Sequence, residues 1–215
     1  VDIVKPSMTI NEANAFADKK EGKKLILLMT GNRLMEIEKM LPTLLEAAKI
    51  IQKQLPEVDF VMPRAGTIPL NLLEEKIQAS GLDVRITEGH NYDLFSVADL
   101  ALATSGTVTL EAALCGLGSV IVYRTNPLTY MIAKMVVNIP HIGLPNIVAG
   151  RSVVPELIQN DFTPAKVAKA AMELLESERN ALMKKDLEYV KERLGKPGAV
   201  GRVAELVLKI AGEKR

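Results

Sequence analysis

The chain has 215 residues, with 27 Lys and Arg against 26 Asp and Glu, 48% hydrophobic residues and a single Cys. At about 150 residues per domain this is one large domain or two small ones, and folding at this size buries about 70% of the unfolded surface, so no disulfide or structural metal is needed. The near-neutral charge argues against a nucleic-acid footprint, and the longest apolar runs, such as 118–123, fall far short of the roughly 20 residues of a membrane span.

In chain order, the sequence begins at Val1 rather than Met, and its first residues lack the basic and apolar regions of a signal peptide. They read as the start of a fragment of a longer protein, with residues 1–24 a linker or a segment of a missing amino-terminal half. From residue 25 a strand-loop-helix rhythm recurs. Leu25–Met29 is a short apolar run, as expected for a buried parallel strand, and 58–62, 84–87, 99–103 and 119–123 resemble it. Ile37, Met40, Leu41, Leu44, Leu45, Ala48 and Ile51 recur at helical spacing opposite Glu38, Lys39, Glu46 and Lys53, with Pro42 marking a break or a new first turn. Cys115, with no His near it in sequence, reads as a small buried hydrophobe.

Strands alternating with helices predict an α/β, Rossmann-like, doubly wound parallel sheet over residues 25–163. Residues 164–215 read as amphipathic helices rich in Lys and Glu. The last of these carries an apolar stripe, Val203, Leu206, Val207 and Ile210, that must cover this domain, the missing half or a partner chain.

In such a sheet ligands bind beyond the carboxyl ends of the strands, where strand order reverses. With the first and fourth strands side by side there, the loops after them become the candidate site. The first, 29–33, offers Gly31 for close backbone approach, Asn32, and Arg33 as a permanently charged fork. The second, 103–111, turns through Ser105, Gly106 and Thr107 into a helix whose free N–H groups and dipole form an anion site, with Glu111 one turn further on. Ordinary helix capping also explains each loop taken alone. Together they suit a nucleotide diphosphate. No Asp-x-Asp pair, Gly-x-Gly-x-x-Gly or P-loop motif is present, which argues against a dinucleotide dehydrogenase, a P-loop enzyme and a metal-held diphosphate.

The run 105–113, SGTVTLEAA, then 122–130, VYRTNPLTY, then 144–151, LPNIVAGR, with Val154-Pro-Glu156 and the Gly-x-Arg-x-x-Glu-Ile segment 31–37, resembles the lipid-A-disaccharide synthase family in order. The likeness extends from residue 25 through the closing helices and covers the carboxyl-terminal half of that two-domain GT-B glycosyltransferase. It implies transfer of 2,3-diacylglucosamine from UDP to 2,3-diacylglucosamine 1-phosphate with inversion, releasing UDP, without metal or cofactor. A cytoplasmic enzyme with peripheral contact at the inner membrane is expected, with a homodimer through the closing helices as one partner for their apolar stripe and, from the charge balance, no nucleic acid. By position, Arg33 resembles the diphosphate-binding Arg; Ser105, Gly106 and Thr107 resemble phosphate-loop donors and Glu111 the ribose-binding carboxylate. Asn146 resembles a donor-pocket residue, with Gly150, Arg151 and Glu156 as companions.

Two departures stand out: Thr30-Gly-Asn-Arg33 replaces the family's usual Pro-Gly-Ser-Arg, and Gly118-Ser119 stands where Pro and Met are usual. His90 reads as an exposed loop residue or one approaching the nucleotide base, and His141 as structural, so the general base is expected from the missing half. Residues 127–137 read as core packing or a membrane-surface helix. The alternatives are another UDP-N-acetylglucosamine-dependent GT-B enzyme, such as the peptidoglycan transferase or a 2-epimerase, and a non-catalytic nucleotide-binding domain.

Overall fold

A computed structural model describes residues 4–126, 130 and 140–212. The 127–137 segment, apart from Tyr130, lies outside the described residues. Among the described residues six parallel strands form one sheet: β1 (Lys24–Met29), β2 (Val58–Arg64), β3 (Val84–Glu88), β4 (Leu100–Thr104), β5 (Ser119–Tyr123) and β6 (Glu156–Ile158). Their order is β3-β2-β1-β4-β5-β6, so β1 and β4 are neighbours at the reversal, with Ile26 opposite Leu100 and Met29 opposite Ala103. The sequence reading missed β6, whose three residues are too few to carry a period.

Both faces of the sheet are buried, which is why β1 is apolar without alternation. Ile26 and Leu28 pack into a cluster with helices α2 (Leu34–Gln54), α3 (Leu70–Ser80) and α7 (Pro164–Leu175). Leu25, Leu27 and Met29 point the other way, toward α1 (Ile10–Ala17), α4 (Asn91–Val97) and α5 (Thr107–Leu114). The seven apolar residues predicted for one face of α2 are all buried. Pro42 neither breaks this helix nor opens a new one: it lies on the exposed side of a continuous 21-residue helix, where the ring has room.

Residues 4–24, expected as part of a linker or of a segment from the missing half, fold against this sheet. Thr9 and Glu12 form a capping box that starts α1, and Ala13 and Ala17 are buried against the sheet cluster. Ahead of α1, the buried Asp93 carboxylate accepts the Ser7 and Met8 N–H groups at 2.6 and 2.7 Å. Behind it, Lys19 reaches Asp99 at 2.9 Å and the Val97 carbonyl at 2.7 Å.

The boundary at 164 is equally continuous, because Val167, Ala168 and Ala171 of α7 are fully buried in the main core. Helix α8 (Ser177–Arg193) packs on α5, α7 and the short α6 (Leu144–Ala149). Its Met183 occupies the space where a Cβ at Gly118 would lie, giving the Gly118-Ser119 departure a packing role. Among the described α-helices only α9 (Ala199–Gly212) lacks a buried apolar residue. Cys115 is partly buried, and burial pushes its thiol up to about 11, against a nucleophilic role at neutral pH.

Candidate functional site

At the carboxyl ends of β1 and β4 the two predicted loops face one cleft of about 510 Å³, within the usual range for small-molecule sites. Gly31, Asn32, Arg33, Ser105, Gly106, Thr107 and Glu111 all line it. Gly31 turns the chain at φ +97°, in the left-handed region that favours glycine, so that β1 runs directly into α2. Arg33 at the head of α2 and Gly106 at the head of α5 provide no side-chain cap. Two helix N-termini therefore open on the same space, each with a partial positive charge of about half a unit.

Two hydroxyls on the β4 side are already engaged: Ser105 Oγ donates to the Ile142 carbonyl at 3.2 Å, and Thr109 Oγ1 to the Gly106 carbonyl at 2.8 Å. Thr104, at the end of β4, is buried in the cleft wall, and its hydroxyl has no partner among the described residues.

Glu36, Arg64 and Asn91 also line the cleft and were given no role from sequence. Glu36 belongs to the Gly-x-Arg-x-x-Glu-Ile run, and Arg64 ends β2, the other neighbour of β1, so strand-end position was the signal available for it. Arg64 donates to the Ile68 carbonyl and pairs with Glu88. Burial, with the neighbouring Glu111 carboxylate, pushes the Tyr92 phenol above its ordinary value.

Asn146, Gly150, Arg151 and Glu156 do not line this cleft. Asn146 is fully buried and works as a clamp: Oδ1 accepts the Val153 and Val154 N–H groups, and Nδ2 donates to the Val154 carbonyl and to Glu156. Glu156 in turn accepts the Ile142 and Gly143 N–H groups at 2.9 and 3.1 Å, with His141 Nδ1 at 3.7 Å. This network fixes the 141–143 turn, whose Ile142 carbonyl takes the Ser105 hydroxyl, one contact behind the cleft wall. Gly150 is the left-handed C-cap of α6. Arg151 is drawn to α8, pairing with Asp186 at 2.6 Å and lying 5.4 Å over the Tyr189 ring; the Asp186 bond holds its guanidinium above its ordinary value. His90 heads α4, half exposed, with Nδ1 3.2 Å from Asp93 and its ring edge-on to Phe16.

A parallel sheet ordered 3-2-1-4-5-6, with its reversal between β1 and β4, defines a Rossmann-like domain of the doubly wound α/β class. Solved structures agree on the fold. WaaG, a glycosyltransferase involved in lipopolysaccharide biosynthesis, superposes with a TM-score of 0.61 at 16% identity, over 94% of this chain and 53% of that one. UDP-GlcNAc 2-epimerase from Neisseria meningitidis bound to UDP-GlcNAc gives 0.62 at 17% identity, over 93% and 48%.

Sequence comparison is more specific. A family model described as lipid-A-disaccharide synthetase matches residues 1–210. The lipid-A-disaccharide synthase of Geobacter sulfurreducens is 39% identical over 214 residues, 99% of this chain and 56% of its own length. That of Syntrophus aciditrophicus is 34% identical over 210 residues, 97% and 55%. The chain belongs to the lipid-A-disaccharide synthase family and spans about half the length of these relatives.

Proposed function

We propose that this chain is the UDP-sugar-binding half of a lipid-A-disaccharide synthase. In the reaction, UDP-2,3-diacylglucosamine donates its sugar to the 6-hydroxyl of 2,3-diacylglucosamine 1-phosphate, with inversion at the anomeric carbon and release of UDP. The observation that carries the reading is the convergence of Arg33 and the N-termini of α2 and α5 on one cleft. As the glycosidic C–O bond to UDP breaks, negative charge grows on the diphosphate, and fixed donors at that position stabilise the transition state. Arg33 and the Gly31–Asn32 backbone hold one side of the diphosphate, and the Ser105–Thr107 turn holds the other. Glu111, in the cleft wall, accepts hydrogen bonds from the ribose hydroxyls.

With these donors the diphosphate is held without a divalent metal. The base that deprotonates the acceptor comes from the part of the enzyme outside this chain, as do the surfaces that read acyl length. We assign α9 to the contact with that other half. Among the described residues no helix is long and apolar enough to cross a membrane. The proposed reaction, with its two lipid substrates, places the enzyme in the cytoplasm at the face of the inner membrane.

Isothermal calorimetry tests the nucleotide reading: UDP binds the chain, and Arg33→Ala weakens binding by about 1.5–3 kcal/mol, the range for a charge-assisted hydrogen bond. No UDP affinity in the parent, or equal affinity in the variant, would contradict it. UDP release by the full-length protein with synthetic diacylated donor and acceptor tests the reaction.

A further inference from the structure

The cleft that the nucleotide reading fills with an anion already contains one. Glu36, in the first turn of α2, turns back so that Oε2 accepts the Asn32 N–H at 3.2 Å and Oε1 lies 3.3 Å from the Arg33 guanidinium. Its carboxylate lies over Gly31, where a Cβ would collide with Oε2. The Glu36 side chain is 20% exposed and lines the cleft wall, whereas Arg33 is 79% exposed.

A Glu at the third helical position is an ordinary N-terminal cap, favourable to the dipole. A cap, however, needs only a backbone N–H. This carboxylate also engages the Arg, so it occupies two of the donor contacts assigned above to the diphosphate, one of them cationic.

We propose that Glu36 is a resident counter-anion of the site: it occupies Arg33 and the Asn32 N–H until a diphosphate displaces it, and it competes with the nucleotide for both. The proposal rests on the nucleotide-diphosphate reading and deepens it. A fixed negative charge beside the binding position raises the threshold for any anion. A ligand with one phosphate contact does not offset that repulsion, whereas a diphosphate reaching Arg33 and both helix ends does, so Glu36 selects for the diphosphate. The same repulsion acts on the UDP product once the sugar has left, and speeds its release.

The test compares the parent chain with Glu36→Gln, which retains an acceptor for the Asn32 N–H but loses the charge, and with Glu36→Ala, which loses both. UDP affinity is read by calorimetry, uridine affinity by NMR titration, and folding by the thermal transition. UDP should bind Glu36→Gln about 3- to 10-fold more tightly than the parent, the scale of one partly screened charge interaction, while uridine binding stays unchanged. A gain in Glu36→Gln alone supports the proposal as well, because the alanine also removes the cap. Equal or weaker UDP binding by both variants, with UDP binding intact in the parent, overturns it and leaves the nucleotide reading standing. An equal gain for uridine also overturns it, since the effect would then not act through the phosphates. Failure of all three proteins to bind UDP overturns the nucleotide reading and this proposal together.

Discussion

Asn146 uses both its amide oxygen and its amide nitrogen twice; three of the four bonds are buried and the fourth, to Glu156, is partly buried. Asn146→Ala leaves the Val153 and Val154 N–H groups and the Glu156 carboxylate short of a partner. Leaving such groups buried and unsatisfied costs about 1–3 kcal/mol for each group that water fails to reach. The variant should lose about 2–3 kcal/mol in urea unfolding, and a loss below about 0.5 kcal/mol would mean that the clamp carries no weight. The same residue marks how far the sequence could be read at this scale. Gly31, Arg33, Ser105 and Glu111 were assigned to the cleft because loops at the carboxyl ends of adjacent parallel strands have one place to go. Asn146 and Glu156 follow no such rule: their side chains face inward because the 141–143 and 153–154 turns need partners, and the spacing of a Leu-Pro-Asn run does not say which way an amide points.

At the scale of elements, the five strands read from apolar runs appear within one or two residues of their expected ends; β1 and β4, buried on both faces, are apolar but for one end residue, while the edge strand β3 leaves Arg85 and Glu88 exposed. The element read least well is α1, whose buried face consists of Ala13 and Ala17, too small for a hydrophobic period to stand out. Polar contacts hold its surroundings in place. Burial alone would raise the carboxyls of Asp93 and Asp99, but their donors outweigh it and hold both below the ordinary value. For Asp93 these are the Met8 N–H, the Ser7 hydroxyl and N–H, and His90; for Asp99 they are the Leu25 N–H, Lys19 and Lys24. A carboxyl depressed in the folded state contributes stability above its unfolded pKa of about 3.9, and that contribution disappears as pH falls through the lower folded value. Urea stability should therefore be level from neutrality to about pH 5 and then fall steeply in acid. Asp99→Asn should be less stable at neutral pH and show a shallower acid fall. An unchanged slope in that variant would sever the link between α1 and the acid response.

At the scale of the whole molecule, α9 differs from every other helix described. Val200, Val203, Leu206, Val207, Leu208 and Ile210 are 51–71% exposed, and most of them share one face. An apolar stripe of this size left to water is a cost that folding of this chain does not recover, since each such side chain gains roughly 1.5–3 kcal/mol when fully buried. The relatives carry nearly as much sequence again outside the region matched here, and the proposed function assigns the stripe to that other half. The two arrangements separate experimentally. Replacing Val203, Leu206 and Val207 together by Ser should leave the urea stability of the 215-residue chain within about 1 kcal/mol, because exposed positions contribute little. In the full-length protein the same triple substitution should remove several kcal/mol and expose α9 to rapid hydrogen exchange. A comparable loss in the chain by itself would show that α9 packs on its own domain, and the assignment to the other half would then fail.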